Sequence, residues 1–241
     1  MDSTGKIWVA LDTGKIKALK IAKTIASNPA IFGFKLNRLI DQEVFRKDGE
    51  PALFDELAQY GLPLWVDLKF HDVPRTVIGR LMPYIESGQI QFLTVMAKGE
   101  IDMMTDAVEA MGEKGHIIAV TELTSSSEEQ IHLGSGQPSK ASVITLARNA
   151  VLSGVRHLVS SSQELGVLSK RRELAVLKKF VPGITPDWKK GESQPDQKRV
   201  GSPAFALIGG ADKIVIGGAI VNDEDPLGAV EKTASEIEAI N

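Results

Sequence analysis

The chain has 241 residues, 43% of them hydrophobic and 24% charged, the proportions of an ordinary globular protein and a length typical of one α/β barrel. Its net charge of −3 exerts no general pull on nucleic acid or an anionic membrane, so an anionic ligand has to be gripped locally. Cysteine is absent, which excludes disulfides, thiolate catalysis and Cys-ligated zinc and fits the cytosol. No apolar run approaches the ~20 residues of a membrane helix, and MDSTGKIWVALD has no apolar stretch before its first strand-like run, so no signal peptide is expected.

Short β-branched runs alternate with amphipathic segments from one end to the other. The expected strands are Ile7–Asp12, Ile31–Leu36, Leu64–Phe70, Phe92–Ala97, Ile117–Leu123, His157–Ser161, Phe180–Ile184 and Lys213–Ile216. Between them the helical pattern covers Ile16–Ser27, Ala52–Tyr60, Thr76–Ser87, Ile101–Glu113, Ser139–Ser153, Glu164–Lys170 and Ser202–Ile208, and Leu227–Ile240 closes the chain. Eight strands each followed by a helix is the repeat of a closed (β/α)8 TIM barrel in one domain, residues 1–241. The alternative is a doubly wound open sheet, which favours a glycine-rich first turn; LDTGK matches that pattern poorly. Two polar stretches, Ser125–Pro138 and Asp187–Asp196, are expected as loops on the face where barrels build their sites, the second as a lid candidate.

Catalytic residues of a barrel sit at the C-terminal ends of its strands. Those ends supply Asp12, Lys35, Asp67, Lys69, Asp72 and Thr124. In LPLWVDLKFHDV the period-two alternation sends Val66, Leu68 and Phe70 toward the helices and aims Asp67 and Lys69 at the barrel axis, with Lys35 beside them on the second strand. Opposite charges crowded in a partly dry mouth hold one another ionised and form a preorganised field. A carboxylate beside an ammonium suits expulsion of a substrate carboxylate and protonation of the carbanion left behind. A structural ion-pair network explains the same charge pattern equally well.

The segment DLKFHDVPRTV resembles the signature of orotidine 5′-monophosphate decarboxylases, and VALD, FKL, VTELTS, VPGI and DQKRV agree with that family in order and spacing. The resemblance implies decarboxylation of orotidine 5′-monophosphate to UMP in pyrimidine synthesis, with no metal and no organic cofactor. It implies that Lys69 donates the proton to C6, that Asp67 lies against the substrate carboxylate, and that Lys35 and Asp12 serve the ribose. Thr124 is then expected by the pyrimidine amide. Asp72 and Thr76 are expected to reach a partner's site across a homodimer interface.

Two departures stand out. Thr185 and Gly218 occupy positions where the family carries phosphate-binding arginines, while the third phosphate contact, Gln197, is kept. Strand four, usually His-Ala-x-Gly-Gly, reads MAKGE, with Met96 and Glu100 at the altered positions. Each lost charge-assisted contact weakens phosphate binding by about 1.5–3 kcal/mol. Backbone amides of Gly217 and Gly218, or Lys189, Lys190 or Lys198, are the available substitutes. Three alternatives follow: a decarboxylase with an altered or phosphate-free substrate, a non-catalytic nucleotide-binding paralogue, and a magnesium-dependent sugar-phosphate decarboxylase.

The remaining signals favour packing. His116, His132 and His157 are scattered without metal-ligand spacing, and His71 is expected to pack or hydrogen-bond. Trp8 and Trp65 are expected in the core, and Trp188 in the loop after strand seven.

Overall fold

The computed structural model describes residues 1–44, 48–49, 52–189 and 201–240. Its strands are β1 (Ile7–Ala10), β2 (Ile31–Leu36), β3 (Leu64–Phe70), β4 (Phe92–Met96), β5 (His116–Val120), β6 (His157–Val159), β7 (Lys178–Val181) and β8 (Lys213–Ile216). They form a closed parallel barrel in chain order. The decisive pair is β1 with β8, in which Trp8 lies opposite Val215. An open sheet has no such pair.

The outer layer contains α1 (Lys15–Ile25), α2 (Leu39–Val44), α3 (Leu53–Ala58), α4 (Pro74–Ser87), α5 (Glu100–Met111), α6 (Glu128–Ser135), α7 (Ser139–Leu152), α8 (Leu165–Ser169), α9 (Pro203–Ile208), α10 (Gly218–Val221) and α11 (Pro226–Glu238). Three of these, α2, α6 and α10, lie outside the helices read from periodicity. Helix α6 corrects the expected loop over Ser125–Pro138. Its only buried side chain is Ile131, so it has no apolar stripe to read, but Ser127 and Gln130 form a reciprocal capping box at its start. No helix among the described residues is long and apolar enough to cross a membrane.

Alternation along the strands splits the core in two. Val9, Phe34, Val66, Leu93, Val95 and Ile216 face the helices. Trp8, Ala10, Trp65, Phe92, Ile118, Val120, Val159, Phe180 and Val215 fill the barrel. Trp8 meets Trp65 and Phe92 edge-on with centroids 5.3 and 5.2 Å apart, a favourable geometry for the ring quadrupoles. This aromatic plug fills the lower barrel, and the cavity among the described residues that it floors opens toward the C-terminal ends. Gly33 is required beside it: a Cβ there would run into the Trp8 ring and the Pro63 carbonyl.

At the opposite end, His116 and His157 approach to 4.5 Å between ring centroids, and His157 also meets Phe92 and Phe180. Burial, then the neighbouring His116, pushes the His157 imidazole down to about 4, so it folds neutral. A base whose folded value lies below its unfolded one binds more protons when unfolded. The stability it carries is therefore complete above pH ~6.5 and lost as pH falls toward about 4. Chemical denaturation is expected to show about 2–3 kcal/mol lost across that window. His157→Phe should flatten that part of the profile, and an unchanged slope would refute the assignment.

Candidate active site

The C-terminal mouth of the barrel holds a cavity of about 440 Å³, large enough for a small organic ligand. Trp65 and Val159, from the interior core, form its floor. Asp12, Lys35, Asp67, Lys69, Thr124, Thr185, Gly217 and Gly218, all singled out from strand ends or their loops, line it. Eight positions spread over six strand termini are thus gathered around one space.

Charge concentrates on one side. The Asp67 carboxylate is 5% exposed, and its Oδ2 accepts from Lys35 Nζ at 3.1 Å and faces Lys69 Nζ at 2.9 Å. Lys35 Nζ also reaches Asp12 Oδ2 at 3.5 Å. Burial alone would discharge both buried groups. For Lys35 the carboxylates of Asp67 and Asp12 outweigh burial and hold the ammonium above the usual lysine range. For Asp67 the two lysines outweigh burial and hold the carboxyl below the usual carboxylate range. The cluster is therefore charged and fixed before any ligand arrives, the condition for a preorganised field.

Regular alternation does not by itself put Lys69 there. Along β3 and β4, Val66 pairs with Leu93 and Phe70 with Val95, so four positions on β3 span two on β4. The intervening residues bulge, and Lys69 takes φ 50, a left-handed conformation that costs a side-chain-bearing residue roughly 1 kcal/mol. The expectation that Asp67 and Lys69 converge holds; the physical reason is this bulge rather than an unbroken pleat. Asn37 Nδ2 braces it from β2 by donating to the Asp67 carbonyl at 2.6 Å.

The other side of the cavity is uncharged among the described residues. Pro182, Gly183, Ile184 and Thr185 come from the exit of β7, and Gly217, Gly218, Val221 and Asn222 from the exit of β8. The Thr185 amide donates to the Gly201 carbonyl at 3.0 Å and the Gly201 amide to the Gly183 carbonyl at 3.0 Å, so the chain leaves this rim and returns to it. Gln197, Lys190 and Lys198 fall outside the described residues. Lys189, the remaining lysine considered for this end, is drawn away: its Nζ pairs with Asp223 at 3.3 Å and lies over the Trp188 ring. Trp188 itself donates to the Thr233 hydroxyl at 3.2 Å.

Asp72 and Thr76 do not line the cavity. Both are exposed, at the entry to α4, beside the exposed Val73. His71 is exposed as well. Glu100 has φ 68 and ψ −176, so the backbone keeps a conformation favouring glycine where the resemblance leads one to expect that residue. Met96 packs against the interior core, and Lys98 of the same run pairs with the buried Glu122 at 2.8 Å.

Four contributors were missed in the sequence: Asn37, Thr94, Trp65 as floor and Asn222 as rim. A signal existed only for Thr94, the one polar residue in FLTVM, sharing its face with Phe92 and Met96.

Residues 5–233 match the family model described as Orotidine 5′-phosphate decarboxylase / HUMPS family. The chain belongs to this family. Among relatives named orotidine 5′-phosphate decarboxylase, that of Alkalilimnicola ehrlichii is 36% identical over 204 residues, 83% of this chain and 84% of that protein. The one from Alcanivorax borkumensis is 34% identical over 236 residues, 96% of this chain and 97% of that protein. A crystal structure of orotidine 5′-phosphate decarboxylase from Lactobacillus acidophilus superimposes with a TM-score of 0.75 at 26% identity, covering 97% of this chain and 99% of that one. Family membership and barrel architecture thus agree from independent directions.

Proposed function

We propose that this chain is an orotidine 5′-phosphate decarboxylase, a carboxy-lyase that converts orotidine 5′-monophosphate to UMP and carbon dioxide in the cytoplasm, in pyrimidine biosynthesis. The observation that carries it is the charged triad Lys35–Asp67–Lys69 on the cavity wall, in a chain whose relatives bear that name over most of their length.

In this reading the orotate carboxylate is held against Asp67, a placement that raises the energy of the bound acid more than that of the carbanion. The bond between C6 and the carboxylate carbon breaks, carbon dioxide leaves, and the electron pair remains on C6. Lys69 Nζ delivers its proton to C6, forming the new C–H bond, and recovers one from solvent afterwards. Lys35 and Asp12 hold the ribose hydroxyls, and Thr124 the pyrimidine amide. The phosphate goes to the uncharged end, against the Thr185 hydroxyl and the amides of Gly217 and Gly218, with Gln197 as a further contact. Exposure of Asp72 and Thr76 beside Val73 supports a homodimer in which these residues complete the partner's ribose site.

The test mixes purified protein with orotidine 5′-monophosphate in EDTA and follows loss of the orotate chromophore, with orotidine in parallel. Turnover of the phosphorylated compound is expected, preferred in kcat/KM by at least ~10-fold, the effect of one charge-assisted contact. Light scattering on the same sample should read about twice the 26.0 kDa chain mass. Equal rates would point to a substrate without the phosphate, which Thr185 and Gly218 favour; no turnover of either compound would sink the activity.

A further inference from the structure

Thr94 is fully buried on β4, outside the cavity lining and unassigned by the reading above. Its hydroxyl oxygen accepts from the Lys69 backbone amide at 3.0 Å and donates to Asp67 Oδ1 at 3.1 Å. The Val66 carbonyl, at 3.4 Å, is the weaker of its two acceptors, being longer and neutral.

The bulge explains why this hydroxyl matters. Residues 67–69 have stepped out of the β3–β4 ladder, so the Lys69 N–H lacks a carbonyl partner from β4, and a buried unpaired amide is costly. The Thr94 oxygen replaces that carbonyl, at the residue that takes the left-handed conformation. The same hydroxyl occupies Oδ1 of Asp67, leaving Oδ2 to receive Lys35 at 3.1 Å and Lys69 at 2.9 Å. One oxygen atom thereby orients both the carboxylate and the backbone that carries the ammonium.

We propose that Thr94 is a positioning residue for the decarboxylation, a hydroxyl bridge that locks the β3 bulge and sets the direction of the Asp67 carboxylate and the Lys69 side chain. The inference rests on the decarboxylase reading only for its kinetic readout. Thr94→Val preserves shape and removes the bridge. Its kcat is expected to fall about 10–100-fold, the usual effect of displacing a catalytic group by an ångström, with KM changed less than ~3-fold. The acid limb of the kcat profile should also move to higher pH, because Asp67 has lost a donor that favours its charged form. Thr94→Ser keeps the hydroxyl and should restore kcat to within ~3-fold of the parent.

Crystal structures of the parent and both variants make the test independent of turnover. In Thr94→Val, Lys69 should leave the left-handed region or its Nζ should move away from Asp67, whereas Thr94→Ser should keep both. Should the valine variant not fold, Thr94→Ala removes the hydroxyl without adding bulk and carries the same comparison. A valine or alanine variant that keeps Lys69 at φ near 50 and retains parental kcat would overturn the proposal. If the parent does not act on orotidine 5′-monophosphate, the activity reading fails, and the crystallographic comparison alone decides the role of Thr94.

Discussion

Lys69→Ala is expected to lower kcat at least ~10³-fold while UMP binding stays within ~10-fold of the parent. Lys69, its side chain 32% exposed, carries the more accessible ammonium of the cluster, 2.9 Å from Asp67 and on the cavity wall. That position lets it reach a ligand atom while remaining tied to the carboxylate. Removing it takes away the proposed proton donor and one of the two cations beside Asp67, but no surface at the far end of the cavity. The chemical step therefore suffers more than binding. Single-turnover kinetics beside a UMP titration by calorimetry separate the two quantities. Near-parental kcat in this variant would show that the proton comes from elsewhere, and the mechanism proposed for the cluster would have to be abandoned.

Asp67→Asn is expected to cost both activity and about 3 kcal/mol of stability at neutral pH, because it leaves the buried Lys35 ammonium without its nearer, buried counter-ion and with only the more exposed Asp12. Lys35 is 8% exposed, and the Asp67 carboxylate is the stronger of the two charges opposing the effect of its burial. In the parent, the raised Lys35 value means that its stabilisation is complete below the ordinary lysine value of ~10.5 and fades as pH rises through the folded one. The depressed Asp67 value means that its stabilisation is complete above ~3.8 and is lost as pH falls below that. In the variant Lys35 folds more readily without its proton, so the deficit should shrink as pH rises from 7 toward 10. Urea denaturation across that range checks the sign. A deficit constant with pH would mean that Lys35 does not depend on Asp67 for its charge.

The two expectations share one physical cause. The cluster pairs two carboxylates with two ammonium groups in a space walled by Trp65 and Val159, where water screens charge poorly. The buried pair, Lys35 and Asp67, is ionised because charged neighbours outweigh its burial. A change at one is therefore felt at the others, and the effects of Lys69→Ala and Asp67→Asn should not add in the double variant.

Much of the barrel was legible in the chain itself. Eight β-branched runs separated by amphipathic segments determine the repeat, because a strand with both faces covered and a helix with one apolar stripe can bury themselves only against each other. The strand-end charges Asp12, Lys35, Asp67 and Lys69 were legible for a related reason: a charge closing an apolar strand has no place in the core. What periodicity could not show was any element without a stripe. Helix α6 rests on a capping box with Ile131 its sole buried side chain, and α10 is four residues that begin at the second of two adjacent glycines.

The tertiary structure alone decided how the charges meet. Alternation along β3 predicts that Asp67 and Lys69 share a face, but their 2.9 Å contact comes from a bulge whose stabilising group, Thr94, lies 25 residues away in the chain. Likewise Thr185 and Gly218 are separate departures in the sequence and become one uncharged cavity wall only when β7 and β8 lie side by side. Local sequence determines which surfaces must be buried; which side chains then share a few cubic ångströms depends on closure of the ring, and closure is a property of all eight strands together.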